Sequence, residues 1–179
     1  MIILFEGIDK SGKSSLIKRF VDLSGMKVFK NPVKPTATSF SQGFVNGTYF
    51  GAYELARLSN QDFIFDRSHI TELCYCETKR KYKPDLTTWL KWEEENKHNV
   101  VVVYIDAPLE TIKERFVKDK EEYLKQSDIK KIAKKYEEYF EASKLSLIYI
   151  DGSLDRQRML TQLVIQLQNI GFWSAVRNR

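Results

Sequence analysis

Histidine and cysteine are scarce in these 179 residues, with only His69, His98, Cys74 and Cys76 present. A four-ligand zinc site would consume all four, and the Cys-x-Cys spacing fits no common zinc arrangement, so the cysteines are expected to be reduced and structural. Low-complexity tracts, internal repeats and linker-like stretches are missing too, and the length suits one domain over 1–179. There is no long apolar run. The longest, VVVVYI at 100–105, is far too short to cross a bilayer, and no basic segment with a small-residue cleavage site opens the chain. A cytoplasmic protein with no membrane contact is therefore expected. Positive charge, by contrast, is in excess: 29 Lys and Arg against 24 Asp and Glu leave a formal charge of +5. That balance favours anionic ligands without choosing between a nucleotide and a nucleic acid.

Five short apolar runs read as strands: MIILFE at 1–6, MKVFK at 26–30, FIFD at 63–66, VVVVYID at 100–106 and SLIYID at 146–151. Helical periods separate most of them. Leu16, Ile17, Phe20, Val21 and Leu23 share one face, and Ser24-Gly25 stops that helix. Residues 31–51, rich in Pro, Gly, Ser, Thr and Asn, are expected to be a loop, with a helix from Tyr49 to Leu58. Further helices are expected over 70–81, 86–98, after Pro108, around Ile129 to Phe140, and at Leu160 to Leu167. Parallel neighbours need crossover connections, so this alternation predicts an α/β three-layer sandwich: a five-stranded parallel sheet with helices on both faces. Ligands of such sheets sit at the carboxyl ends of the strands, where the loops after β-runs carry Asp9, Asp66, Asp106 and Asp151.

The stretch GIDKSGKSS at 7–15 satisfies G-x-x-x-x-G-K-[ST] and lies between an expected strand and an expected helix. Gly7 and Gly12 let the backbone curl so that N–H groups from Asp9 through Lys10, Ser11 and Ser15 point inward, and the helix adds its positive end. Such a loop grips the polyphosphate of a nucleotide such as ATP. Lys13 would reach the β- and γ-phosphates, and Ser14 would ligate Mg²⁺. A guanine-reading Asn-Lys-x-Asp is absent; Asn96-Lys97-His98-Asn99 lacks the acid and precedes a strand, which argues against a switch GTPase. At the end of the FIFD run, Asp66 could hold Mg²⁺ through water or accept a proton from the acceptor, while Arg67 could clamp a phosphate. Phe40, Phe44, Tyr49 and Phe50 could stack on a base or simply pack, and Trp89 and Trp92 are expected in the core.

EGIDKSGKSS, FIFDRSHITELCY, VVVVYIDAPLETIKER and YIDGS, taken in order, resemble the thymidylate kinases, P-loop nucleoside monophosphate kinases with EG-x-D-x-x-GK-S/T and DR motifs. The resemblance implies transfer of the ATP γ-phosphate, with Mg²⁺, to a deoxynucleoside monophosphate, dTMP or a related pyrimidine first. It also implies roles for named residues: Asp9 toward the acceptor sugar, Lys10 or Arg115 as the cation on the transferring group, Arg57 on the acceptor phosphate, and Asp151 and Gly152 beside the adenine. An acceptor-binding region over about 31–60, a lid over about 117–127 and a homodimer come from the same likeness. On the acceptor side the match departs: Lys30-Asn31-Pro32 stands where the family has Arg-Glu-Pro, and the stretch from Pro32 to Asp66 is short. The alternatives are a P-loop kinase acting on a hydroxyl of a polynucleotide, such as a modified base in DNA or RNA, and a deoxynucleoside kinase. A nucleic-acid partner belongs to the first of these, and the +5 charge with Arg177 and Arg179 near the end suits it.

Overall fold

The computed structural model describes residues 1–30, 42–59, 61–80, 85–119 and 125–172. Five strands, β1 (Ile2–Glu6), β2 (Lys27–Lys30), β3 (Phe63–Asp66), β4 (Val100–Asp106) and β5 (Ser146–Asp151), form one sheet in the order β2-β3-β1-β4-β5. Every pairing is parallel. The three central strands owe their places to composition. β1 is buried at all five positions, and β4 at every position before Asp106. Each such aliphatic side chain removed from water contributes about 1.5–3 kcal/mol.

Helices α1 (Lys13–Ser24) and α7 (Arg156–Asn169) cover one face, packing Leu16, Ile17, Phe20, Leu163 and Leu167 onto Ile3, Phe5, Val101 and Val103. On the other face lie α2 (Gln42–Leu58), α3 (His69–Tyr75), α4 (Leu86–Asn96), α5 (Leu109–Asp119) and α6 (Gln126–Ala142), whose core includes Tyr49, Tyr53, Trp89, Ile112 and Tyr136 against Leu4, Phe65 and Val102. A π-helical turn, Cys76–Arg80, extends α3. No described helix is long and apolar enough to cross a membrane.

One expected loop is helical. Residues 42–48 belong to α2 despite Gly43 and Gly47. Val45, Tyr49, Ala52, Tyr53 and Ala56 recur at helical spacing and are all buried, so burial outweighs the roughly 1 kcal/mol that each interior glycine costs a helix. Tyr49 and Phe50 sit in an aromatic cluster with Trp89; Phe50 and Trp89 stack with ring centroids 4.3 Å apart. Residues 31–41, including Phe40, and 120–124 within the expected lid lie outside the described residues. So do Arg177 and Arg179.

Because all strands run the same way, β1, β3, β4 and β5 end on one rim, each with an acid: Glu6, Asp66, Asp106 and Asp151.

Candidate active site

The rim is organised around the turn that links β1 to α1. Gly7 has φ 144°, and a Cβ there would come within 2.8 Å of Ser11 Oγ and 2.9 Å of the Ile105 carbonyl oxygen, so only glycine fits. Lys10, at φ 66°, takes the left-handed conformation. The first i→i−4 bond of α1 runs from the Leu16 N–H to the Gly12 carbonyl at 3.1 Å. The amides of Lys13, Ser14 and Ser15 precede it and, as in any helix start, have no intrahelical acceptor. They open onto a cavity of about 480 Å³ lined by residues 8–15 and bounded by Arg67, Arg115, Leu154, Arg156 and Met159. Amides and a helix N-terminus around a space of this size suit a polyphosphate.

Arg115 reaches this turn from α5, where it also lines the cavity. Its Nη1 donates to the carbonyls of Lys10 (2.9 Å) and Ser11 (3.0 Å), and its Nη2 to the carbonyl of Gly152 (2.9 Å). These bonds fix the path of the turn, in which the Ser11 N–H is itself committed to the Ile8 carbonyl at 3.1 Å. Gly152 is pressed equally close: a Cβ there would lie 2.7 Å from Ala107 Cβ and 2.8 Å from the Ser11 carbonyl oxygen. Asp151 serves its own turn, accepting from the Ser153 N–H (2.8 Å) and Oγ–H (2.6 Å), which lowers its pKa. Neither Asp151 nor Gly152 lines the cavity; Leu154, Arg156 and Met159, which follow them, do. Ser11 buries its hydroxyl without a hydrogen-bond partner.

The second half of the rim meets the first through two ion pairs. Lys13 Nζ is bonded to Asp66 Oδ1, and Arg67 Nη2 to Asp9 Oδ1. Arg67 is itself left-handed, at φ 72°, and its N–H donates to the Phe5 carbonyl at 3.1 Å. Its guanidinium lies 5.4 Å from the Tyr75 ring centroid, and Tyr75 donates its hydroxyl to Asp9 Oδ2 at 3.4 Å. Burial lowers the Lys13 pKa, and the nearby Arg67 charge lowers it further, against the opposing pull of Asp66. Burial also opposes the Arg67 charge, but Tyr75, Asp9, Tyr136 and Glu6 together outweigh it and its pKa stands above the ordinary value.

Lys13, Asp9, Asp66, Arg67 and Arg115 are thus gathered on one rim, with Gly7, Lys10, Gly12, Ser14 and Ser15 in the same turn. Arg57 is elsewhere. It ends α2, pairs with Glu54 at 2.7 Å on the surface, and borders a 230 Å³ cavity with Met1, Gln61 and Asn99 at the amino-terminal edge of the sheet. Glu6, Thr71 and Tyr136, to which the sequence assigns no site role, stand behind Arg67, and the place of Glu6 beside Gly7 is the signal that points to it. Arg156, at the first position of α7, was not foreseen either.

No protein-family model matches the chain, and no curated protein matches it in sequence. Among solved structures, it resembles the YorR protein of Bacillus subtilis in complex with phosphorylated GDP, with TM-score 0.74 and 21% identity over 94% of this chain and 98% of that one. It also resembles the deoxyadenosine kinase of M. mycoides with bound dATP, with TM-score 0.67 and 18% identity over 94% of this chain and all of that one. The same enzyme with dCMP and a flexible dCDP bound gives TM-score 0.63. The likeness establishes the α/β fold of P-loop nucleotide kinases.

Proposed function

We propose that this protein is a nucleotide kinase that transfers the γ-phosphoryl group of ATP to a deoxynucleoside monophosphate, dTMP or a related pyrimidine first. One observation carries the reading: the amide-lined turn at 7–15 and the Asp66-Arg67 edge meet through the Lys13–Asp66 and Arg67–Asp9 pairs. A donor phosphate in the cavity and an acceptor at the acid edge would then be neighbours, which is the positioning that phosphoryl transfer requires.

In this reading the incoming polyphosphate draws Lys13 from Asp66, and the freed carboxylate orients the acceptor oxygen or takes its proton. Arg67 supplies positive charge on the acceptor side, Lys10 or Arg115 supplies it on the transferring group, and Asp9 fixes the Arg67 guanidinium. Mg²⁺ takes hard oxygen ligands, commonly one or two from protein with phosphates completing the shell; Ser14 and Asp66 are the oxygens that would hold it, and it would neutralise charge on the β- and γ-phosphates. The chain works as one domain, with a lid near 117–127 and an acceptor-binding region within 31–60 that leaves out Arg57 and the buried face of α2. Cytoplasmic ATP and nucleotide pools suit this activity, and the family resemblance adds a homodimer.

A deoxynucleoside kinase is the second reading, favoured by the named M. mycoides neighbours and by Asp66, a carboxylate able to accept a hydroxyl proton. One assay separates these from transfer to a polynucleotide. The protein is incubated with labelled Mg-ATP and a panel of deoxynucleosides, deoxynucleoside monophosphates and oligonucleotides. Label on dTMP or dCMP is expected. Label on nucleosides alone would favour the second reading, and salt-sensitive label on oligonucleotides alone would displace both.

A further inference from the structure

Glu6 ends β1 immediately before the glycine of the phosphate turn and is fully buried, so its carboxylate needs partners. It has four donors. Oε1 accepts from the Ser68 N–H at 2.8 Å and the Ser68 Oγ–H at 2.5 Å; Oε2 accepts from the Tyr136 hydroxyl at 2.9 Å and from the Thr71 hydroxyl. These partners continue outward to the acid edge. Thr71 Oγ1 in turn accepts from Arg67 Nη1 at 3.4 Å, and Arg67 Nη2 reaches Asp9. Ser68 Oγ accepts from the Ile70 N–H at 3.1 Å and so caps α3.

A hydroxyl has one hydrogen, and a carboxylate is its strongest acceptor here. With the Thr71 hydrogen committed to Glu6, a Thr71 lone pair faces Arg67. With the Ser68 hydrogen likewise committed, its lone pair faces Ile70. We infer that Glu6 is a positioning residue: through Thr71 and Ser68 it orients the Arg67 guanidinium and the turn that carries Asp66 against the phosphate turn. The inference rests on the kinase reading for its consequence, and on the hydrogen-bond geometry alone for its mechanism.

Glu6→Gln is the informative change because it keeps the size. The Ser68 backbone N–H cannot reverse, so the amide oxygen must face Ser68 and the amide NH₂ must face Thr71 and Tyr136. Thr71 then accepts from the amide and its displaced hydrogen turns to the Tyr136 hydroxyl at 3.0 Å, so its contact with Arg67 loses the carboxylate that polarised the Thr71 oxygen. Thr71→Val removes the same link while leaving Glu6 and the phosphate turn intact.

The test combines kinetics with hydrogen exchange. Glu6→Gln and Thr71→Val should each lower kcat/KM for the acceptor roughly tenfold, the scale of one charge-assisted hydrogen bond, while the KM for ATP stays within about twofold of the parent. The double variant should lose less than the product of the two single losses, since both changes cut the Thr71 link and only Glu6→Gln also weakens the Ser68 link. Amide exchange over residues 66–71 should accelerate in Glu6→Gln. A Glu6→Gln protein that loses only thermal stability, with acceptor kinetics per folded molecule and 66–71 exchange as in the parent, would overturn the inference, as would fully additive losses. If the parent transfers phosphate to no acceptor, the kinase reading fails by itself. Exchange then decides the Glu6 role: acceleration over 66–71 upholds its hold on the turn, and unchanged exchange ends it.

Discussion

The turn at 7–15 is a matter of backbone path, set by Gly7, the left-handed Lys10 and three hydrogen bonds from Arg115 to carbonyls. The acid edge is a matter of side chains, Asp66, Arg67 and Asp9, each held by another side chain, and the Lys13–Asp66 and Arg67–Asp9 pairs join residues 53 and 58 positions apart. A wall made of amides is indifferent to most side-chain identities but intolerant of any change in backbone path. A wall made of side chains depends on each partner's chemistry, so it can be retuned for a different acceptor without disturbing the grip on the donor.

The largest test of this contrast is Lys13→Ala. Lys13 belongs to the phosphate turn and pairs with Asp66 on the acid edge, so its loss should reduce transfer by at least about 10²–10³-fold in a labelled-ATP assay. Near-parental turnover would remove the kinase reading altogether. Asp66→Asn should come next, cutting kcat on the order of 10²-fold while ATP binding, followed by fluorescence of a labelled analogue, holds within a few fold. Equal damage to both would show that the two walls are not separable.

Arg115→Lys should do the opposite. Lysine is a point charge that cannot bridge the Lys10, Ser11 and Gly152 carbonyls as the guanidinium fork does, so ATP affinity should fall roughly tenfold with a smaller loss in kcat. A loss confined to kcat would instead mark Arg115 as the cation on the transferring group.

The smallest effect is a proton count. Burial and the Arg67 charge hold the Lys13 pKa below 10.5, and a bound polyphosphate favours the charged ammonium, so ATP binding should take up protons at alkaline pH below 10.5. Calorimetry in two buffers of different ionisation enthalpy reads this directly. Uptake that persists in Lys13→Gln would assign it to another group.

The strands were legible in the sequence, β1 and β4 most plainly as apolar runs, and the phosphate turn because its glycines, lysine and serines need only local spacing to act. Residues 42–48 were misread as loop, since their glycines and polar residues are local signals whereas the burial of Val45 and Tyr49 depends on Trp89 and the sheet beyond. The partners of the site residues were equally out of reach. Lys13 and Asp66 are 53 positions apart, Asp9 and Arg67 are 58, Glu6 and Tyr136 are 130, and Arg115 and Lys10 are 105. The amino-acid sequence by itself determined the strands and the turn, because apolar patterning and the spacing of glycines, lysine and serines are properties of one short segment. Which charges face one another across the cleft, and that Arg57 stands at the far edge of the sheet, were decided only when β3 and β4 docked on either side of β1, since no local rule brings such distant side chains within bonding distance.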